Sequence, residues 1–391
     1  MFAALRYVRW LSRVAYRAVR KPLVRGLRSL PPYRSLARLP RNDVASPRDA
    51  AAASAGGAYV VVHPPTRVEL VAAGERAPEP FARATSFALP ETFVAELRDA
   101  RLFGRGVAVT TADGRTVSDV TVHLNGALED HSVMRRFALP APRRVDGTTA
   151  VLSAPGGNTY YHWLFDVLPR LELLRLAGHD LARVDRFAVN STRYAFQRET
   201  LARFGIGVDR VLASDQQVHV ECERMLLPSF PGPSGFPPRW VCDFLVRSLL
   251  PADADGAGTA TPERVYVSRQ RSAKRRVANA DAVEEVLGRH GFTTVYLEDH
   301  DVATQARLFR RARVVVGVHG SGFSNVVFCH AGATLIEILH PAETPSHFWV
   351  LSRQVGVAYR PLVAARAPEP RAHLDVVVDV DALEEQVSGT R

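Results

Sequence analysis

Residues 314–338 read VVVGVHGSGFSNVVFCHAGATLIEI, and no other stretch of the chain restricts the fold so tightly. The branched apolar run 314–318 is the pattern of a strand buried on both faces. It enters His319-Gly320-Ser321-Gly322, a helix is expected from about Ser321, and a second strand at 334–338 carries Glu337 within its apolar run. Two glycines in such a turn let the backbone approach an anion closely, and the helix start aims unpaired N–H groups and a positive dipole end at it. The spacing is neither G-x-G-x-x-G nor a P-loop, which withdraws the usual signatures of dinucleotide binding and of phosphoryl transfer. A diphosphate held in some other way is the expectation.

The same alternation extends on both sides of this stretch. Strand patterns VYVS, TTVYLE, VVVGV and TLIEIL alternate with helices expected at 279–289 and 302–312 and with the short helix after Ser321. Strands alternating with helices imply a parallel sheet with right-handed crossovers and ligands at the strand carboxyl ends. Earlier residues differ. Residues 59–71 read as a strand pair broken at Pro64-Pro65, and 106–123 as a β-meander turning at Asp113-Gly114. Small, polar and Pro-rich residues at 42–57 and 251–262 read as linkers.

A length of 391 residues implies two or three folding units, and 47% hydrophobic residues fit a globular protein. The net charge of +10 is not distributed evenly: residues 1–41 hold eleven Arg and Lys and no acid, so removing them leaves about −1 for the rest. The folded body is therefore not basic, and nucleic acid is not an expected partner. Arg6, Arg9, Arg13, Arg17 and Arg20 recur at helical spacing beside Leu5, Val8, Leu11 and Val19. No run reaches about 18 uncharged apolar residues, so a spanning helix is not expected. A basic amphipathic segment on an anionic membrane face is, beside the alternative of a solvated arm. Cys222, Cys242 and Cys329 supply neither a disulfide framework nor a C-x-x-C pair, which points to a reducing cytoplasm.

Two further segments carry chemistry. In Asn158-Thr-Tyr-Tyr-His-Trp-Leu-Phe-Asp-Val-Leu-Pro-Arg170, His162 and Asp166 stand four apart on one helical face, and Pro169 is expected to kink or end that turn. Two titratable groups beside Tyr160, Tyr161 and Trp163 suit a sugar-stacking cleft; the plainer alternative is a core helix with Asp166 paired to Arg170. Arg269 and Arg271 directly follow the VYV strand, so their charges face the same sheet edge as the glycine turn. Asp253-Ala-Asp255 and Asp299-His-Asp301 match D-x-D literally, but linker and helix-entrance positions explain both without a metal.

Taken with the glycine turn, the segments YYHWLFDVLPRL (160–171), VYVSRQRSAKRRVANADAV (265–283) and GFTTVYLED (291–299) resemble glycosyltransferase family 61, the DUF563 superfamily, in a form like its bacterial capsular or exopolysaccharide members. The resemblance covers about half of the chain, roughly 160–339. It implies an α/β fold of GT-B type: two Rossmann-like domains facing across a cleft, preceded by a β-rich segment. The divisions would be a basic segment 1–41, linker 42–57, β-rich region 58–150, acceptor-side domain 151–250, linker 251–262, nucleotide-sugar domain 263–350 and return segment 351–391.

The activity implied is inverting, metal-independent transfer of a sugar from a nucleotide sugar, with a UDP-sugar expected, to a glycan or lipid-linked acceptor. No cofactor is implied beyond the donor. Asp166, or His162 oriented by it, would deprotonate the acceptor. Arg269, Arg271 and the turn His319-Gly320-Ser321-Gly322 would hold the diphosphate, with Asn325 completing the pocket and Glu337 accepting ribose hydroxyls. Tyr160, Tyr161 and Trp163 would stack the acceptor sugar. Two other classes fit the same fold: a non-catalytic nucleotide- or sugar-binding module of an assembly complex, and a nicotinamide oxidoreductase, the latter weakened by the missing glycine fingerprint.

Overall fold

The computed structural model describes residue 40 and residues 43–71, 77–79, 81, 85–104, 107–122, 128, 131–136, 138–215, 218–254, 261–368 and 374–390. The basic segment 1–41, apart from Pro40, lies outside the described residues, as do 255–260 of the second expected linker. Among the described residues no helix is long and apolar enough to cross a membrane.

The fold is mixed α/β, with parallel and antiparallel sheets. The first half is organised on a nine-stranded sheet in the order Val44–Ala45, Thr116–Val117, Ala108–Thr110, Thr92–Phe103, His219–Pro228, Arg143–Val151, Arg186–Val189, Val211–Ala213, with Ala58–His63 also on Thr92–Phe103. His219–Pro228 is the changeover strand: antiparallel to Thr92–Phe103, parallel to Arg143–Val151. The division expected at 150/151 thus falls inside a strand, because β-rich and α/β regions share one sheet. Such pairing joins residues over a hundred positions apart, which local periodicity does not encode.

Two local expectations are corrected. Residues 42–57 are not a bare linker: Ser46 caps a helix, Pro47–Ala52, by accepting from the Asp49 N–H at 3.1 Å, and Ala50 and Ala51 are buried. Pro47 sits at its first position, where a missing N–H costs nothing. Nor do 59–71 form one hairpin. Ala58–His63 pairs with Thr92–Phe103, whereas Thr66–Glu69 pairs antiparallel with Ser86–Leu89.

In the second half Arg264–Val267, Thr293–Val295, Val314–Val318, Thr334–Leu339 and Ala358–Val363 form an all-parallel sheet in the spatial order second, first, third, fourth, fifth. Helices Ala280–Arg289 and Val302–Arg311 fall where expected, the latter capped by Asp301, which accepts from Thr304 N–H at 2.8 Å. Alternation along each strand divides the side chains between two cores. Tyr266, Val316, Ile336 and Ile338 pack on one face with Val283, Leu287, Leu383 and Val387. Val265, Val315 and Leu335 face the other way, with Phe309, Phe348 and Leu351. That strand order reverses direction between Arg264–Val267 and Val314–Val318, and the crevice outside such a switch point is where doubly wound sheets take ligands.

The second of these cores does not stop at the sheet. It continues through Leu152, Trp163, Leu164, Leu168, Leu171, Phe244 and Leu245 of the first half as one cluster. The hairpin Thr66–Glu69/Ser86–Leu89 adds a strap: Phe87 and Leu89 pack with Leu339, Trp349 and Val350, and Arg353 donates to the Leu70 carbonyl at 2.7 Å.

Candidate active site

Pro169 shapes the first motif. It has no N–H and would clash with the carbonyl four residues back in a regular helix. The chain responds by widening the turn: after Tyr160–His162, residues Trp163–Val167 form a π-turn, with Leu168 N–H bonded to the Trp163 carbonyl at 3.0 Å, and Pro169 then opens the helix Pro169–Leu176. The turn is re-wound at the expected proline, not ended by it. His162 and Asp166 keep one face, with Nδ1 and Oδ2 2.6 Å apart. An ionised carboxylate only accepts, so in the neutral ring that this contact favours Nδ1 carries the proton and leaves the lone pair on Nε2.

The plainer alternative, Asp166 paired to Arg170, does not form among the described residues. Arg170 is fully buried and donates to the carbonyls of Ser153 (2.7 Å) and Pro228 (3.1 Å), its guanidinium over Phe230. Burial pulls its pKa down to about 9, while the negative charge of Asp166 opposes the shift. Expected stacking residues are corrected too. Trp163 has no exposed surface and donates Nε1–H to Thr200 Oγ1 at 2.8 Å, so it offers no face to a sugar. Tyr161 is buried against Phe165, Phe348 and His347. Half-buried Tyr160 donates its hydroxyl to Asn325 Oδ1 at 2.8 Å, joining the first motif to the glycine turn. These rings are scaffold because the turn's apolar face is turned into the shared core.

At the switch point the register aligns Val267 with Gly317, which brings the residues after both strands together. The Arg269 guanidinium lies on Gly320: a Cβ at 320 would overlap its Nη1 and stand 2.8 Å from its Cζ. The glycine is needed there for close approach, since φ at 320 is 176°, an extended value open to any residue. Arg269 donates to the Lys274 carbonyl at 3.2 Å, but its buried Nε finds no acceptor and no carboxylate among the described residues pairs with it. Burial first, then the charge of Arg275, lowers its pKa to about 10. Ser321–Phe328 is a 3-10 helix, and no described acceptor takes the N–H of Ser321 or Gly322. A cation short of an anion thus adjoins two free donors.

Other expected donor contacts have different placements. Arg271 is exposed, its Nη1 donating to both Asp299 carboxylate oxygens (2.8 and 2.7 Å) and its guanidinium laid 3.8 Å over the Tyr296 ring. Asn325 is fully buried: beyond Tyr160 it donates to Gln305 Oε1 (2.8 Å) and to the Gly322 carbonyl (3.1 Å), so it fixes the turn from behind. Glu337 is also fully buried, its oxygens taken by His319 Nδ1 (2.5 Å) and the Tyr359 hydroxyl (2.6 Å). Both oxygens are thus committed inside the fold. Strand alternation explains this, because Glu337 shares the face of Leu335, which turns toward the first half. Burial and the Glu337 charge push the Tyr359 phenol far above its ordinary range, keeping it a donor. Three of the four D-x-D carboxylates are committed as well: Asp253 to Arg307, Asp299 to Arg271 and Asp301 to its helix cap, while Asp255 lies outside the described residues.

Each half therefore presents one histidine backed by a carboxylate, His162 with Asp166 and His319 with Glu337. A third imidazole, His347, joins them and was not singled out in the sequence. Burial first, and then His319 and His162 in their protonated forms, lower its pKa to about 4. Its only sequence signal is its place in HPAETPSHF, the loop after a strand's carboxyl end.

Residues 160–336 match the glycosyltransferase 61 family model. The glycosyltransferase 61 match takes in His162, Asp166, Arg269 and the turn at His319, and it supports glycosyltransferase activity. It covers somewhat under half of the chain and stops before Glu337 and His347. No curated protein matches the chain.

Proposed function

We propose that the chain is an inverting, metal-independent glycosyltransferase of polysaccharide biosynthesis, capsular or exopolysaccharide in kind, with a GT-B arrangement in which residues 151–250 serve the acceptor and 263–350 the nucleotide sugar. The observation that carries this reading is the Arg269 cation, without a carboxylate partner among the described residues, lying on Gly320 at the sheet's switch point, with the His162–Asp166 pair on the other half. A nucleoside diphosphate supplies the missing anion, and a UDP-sugar is the donor favoured.

In the step proposed, His162 Nε2 takes the proton of an acceptor hydroxyl while the oxygen attacks the anomeric carbon. The bond from that carbon to the diphosphate oxygen breaks, and its electron pair leaves on the nucleoside diphosphate. Arg269 and the N–H groups of Ser321 and Gly322 stabilise the charge that develops there, a task performed by a metal in other transferases. Asp166 holds the Nδ1 proton and stabilises the imidazolium.

The decisive experiment is a screen of UDP-, GDP- and CMP-sugars for donor hydrolysis and transfer in excess EDTA. One nucleotide class is expected to be turned over at an undiminished rate. Activity lost in EDTA and restored by Mn²⁺ or Mg²⁺ would refute the metal-free step, and tight donor binding without turnover would leave a binding module.

Residues 1–41 are proposed to dock the enzyme on an anionic cytoplasmic membrane face, where lipid-linked acceptors are assembled. Each basic residue near such a surface contributes about 1 kcal/mol, screened by salt. Co-sedimentation with anionic vesicles should fall as salt rises and be lost on deleting 1–41, with transfer to a soluble acceptor retained. Equal sedimentation of both proteins at low salt would reduce the segment to a solvated arm.

A further inference from the structure

His347 opens the helix His347–Val355 and is held from several sides. Its ring stacks on Tyr161 with centroids 5.6 Å apart. The next residue, Phe348, is fixed against Tyr161, His319 and Phe323, and Glu343 of the preceding loop pairs with Arg275 of the basic loop at 2.6 Å. Gly235, in a loop of the first half, lies close to the ring edge: a Cβ there would stand 2.6 Å from the His347 Nε2. The imidazole is thus rigid, half-buried and placed where the two halves meet. Neither ring nitrogen has a hydrogen-bond partner among the described residues, nor does either belong to the fully buried orphans. A pre-set polar group without a partner, open to the site, is what a substrate-contacting residue requires.

Position selects the part of the substrate. In an inverting transfer the base and the departing diphosphate lie on opposite sides of the anomeric carbon, so the transferred sugar spans the distance between them. His347 lies between the two centres: its ring stacks on Tyr161, which packs on His162 on the base side, and the next residue, Phe348, packs on His319 at the diphosphate turn. Unlike those two it has no carboxylate behind it. Resting on the transferase reading above, we infer that His347 contacts the transferred sugar and hydrogen-bonds one of its hydroxyls as a specificity-determining residue. Its neutrality suits that role, because an uncharged imidazole both donates and accepts.

Two variants test this. His347→Phe keeps a flat ring against Tyr161 and removes both nitrogens; His347→Gln restores a donor and an acceptor. Affinities for UDP alone and for UDP-glucose, UDP-xylose, UDP-N-acetylglucosamine and GDP-mannose are measured by calorimetry, with turnover of whichever donors react. The expected result is unchanged UDP affinity in both variants, with the extra affinity contributed by the sugar reduced roughly 3- to 10-fold in His347→Phe and largely restored in His347→Gln. Wild-type sugar discrimination and turnover in His347→Phe would overturn the assignment. So would a parallel loss of UDP affinity and thermal stability, which marks a packing role. A wild-type protein that binds UDP and none of the nucleotide sugars overturns the transferase reading, and the assignment with it.

Discussion

Replacing Asp166 with Asn is expected to lower turnover by roughly 10²–10⁴-fold while nucleotide affinity is kept. In the step proposed, the buried carboxylate, 2.6 Å from Nδ1, would hold the proton there and leave Nε2 as the base. An amide in the same volume can offer N–H to Nδ1 and favour the opposite tautomer, as in other histidine–carboxylate catalysts. His162→Ala should cost as much or more, and the double variant little more than the worse single one, since residues acting as a unit are non-additive. Single-turnover rates at saturating donor separate this loss from weakened binding. A folded Asp166→Asn protein with near-wild-type turnover would place the base elsewhere.

Arg269→Ala should weaken nucleoside diphosphate binding by about 1.5–3 kcal/mol, the cost of a lost charge-assisted hydrogen bond, or roughly 10- to 150-fold in Kd. Arg271→Ala should cost less, under about 1 kcal/mol, because its exposed charge is already satisfied by Asp299. Gly320→Ala provides an independent check. Its Cβ displaces the guanidinium from the turn, so binding should fall with every charge retained. Titration of UDP into the three variants, with Arg269→Lys as a folded control, measures the order. Equal losses in the two arginine variants would show that both reach the diphosphate.

The glycine turn was legible because its information is local. A buried strand, two glycines and a following helix all lie within 314–328, and the alternating pattern fixed which edge receives the residues after each strand. The four-residue spacing of His162 and Asp166 was legible for the same reason. Which neighbours face solvent was not. Tyr161 and Trp163 read equally well as stacking rings or as core, and only the packing of the second half against them decides for core. Glu337 failed similarly: a carboxylate in a strand names no partner until His319 and Tyr359 are folded onto it. Between those two partners the chain runs 40 residues, counted from their positions, and nothing in either pattern alone announces the other. His347 left no motif at all, since its role is set by contacts from three separate segments.

The hydrophobic cluster that runs through both halves makes them poor units for recombination. Exchanging the carboxyl half for that of a relative with another donor would leave Leu164, Leu168, Phe244 and Leu245 facing unmatched surfaces. Each such side chain left uncovered costs about 1.5–3 kcal/mol, against a total stability of about 5–15 kcal/mol for a typical domain. Three or four mismatches, about 5–12 kcal/mol together, would remove much or all of that stability. The routes left for altering donor choice, in the laboratory or by mutation in nature, are single substitutions at the rim of the site, which leave that common interior untouched.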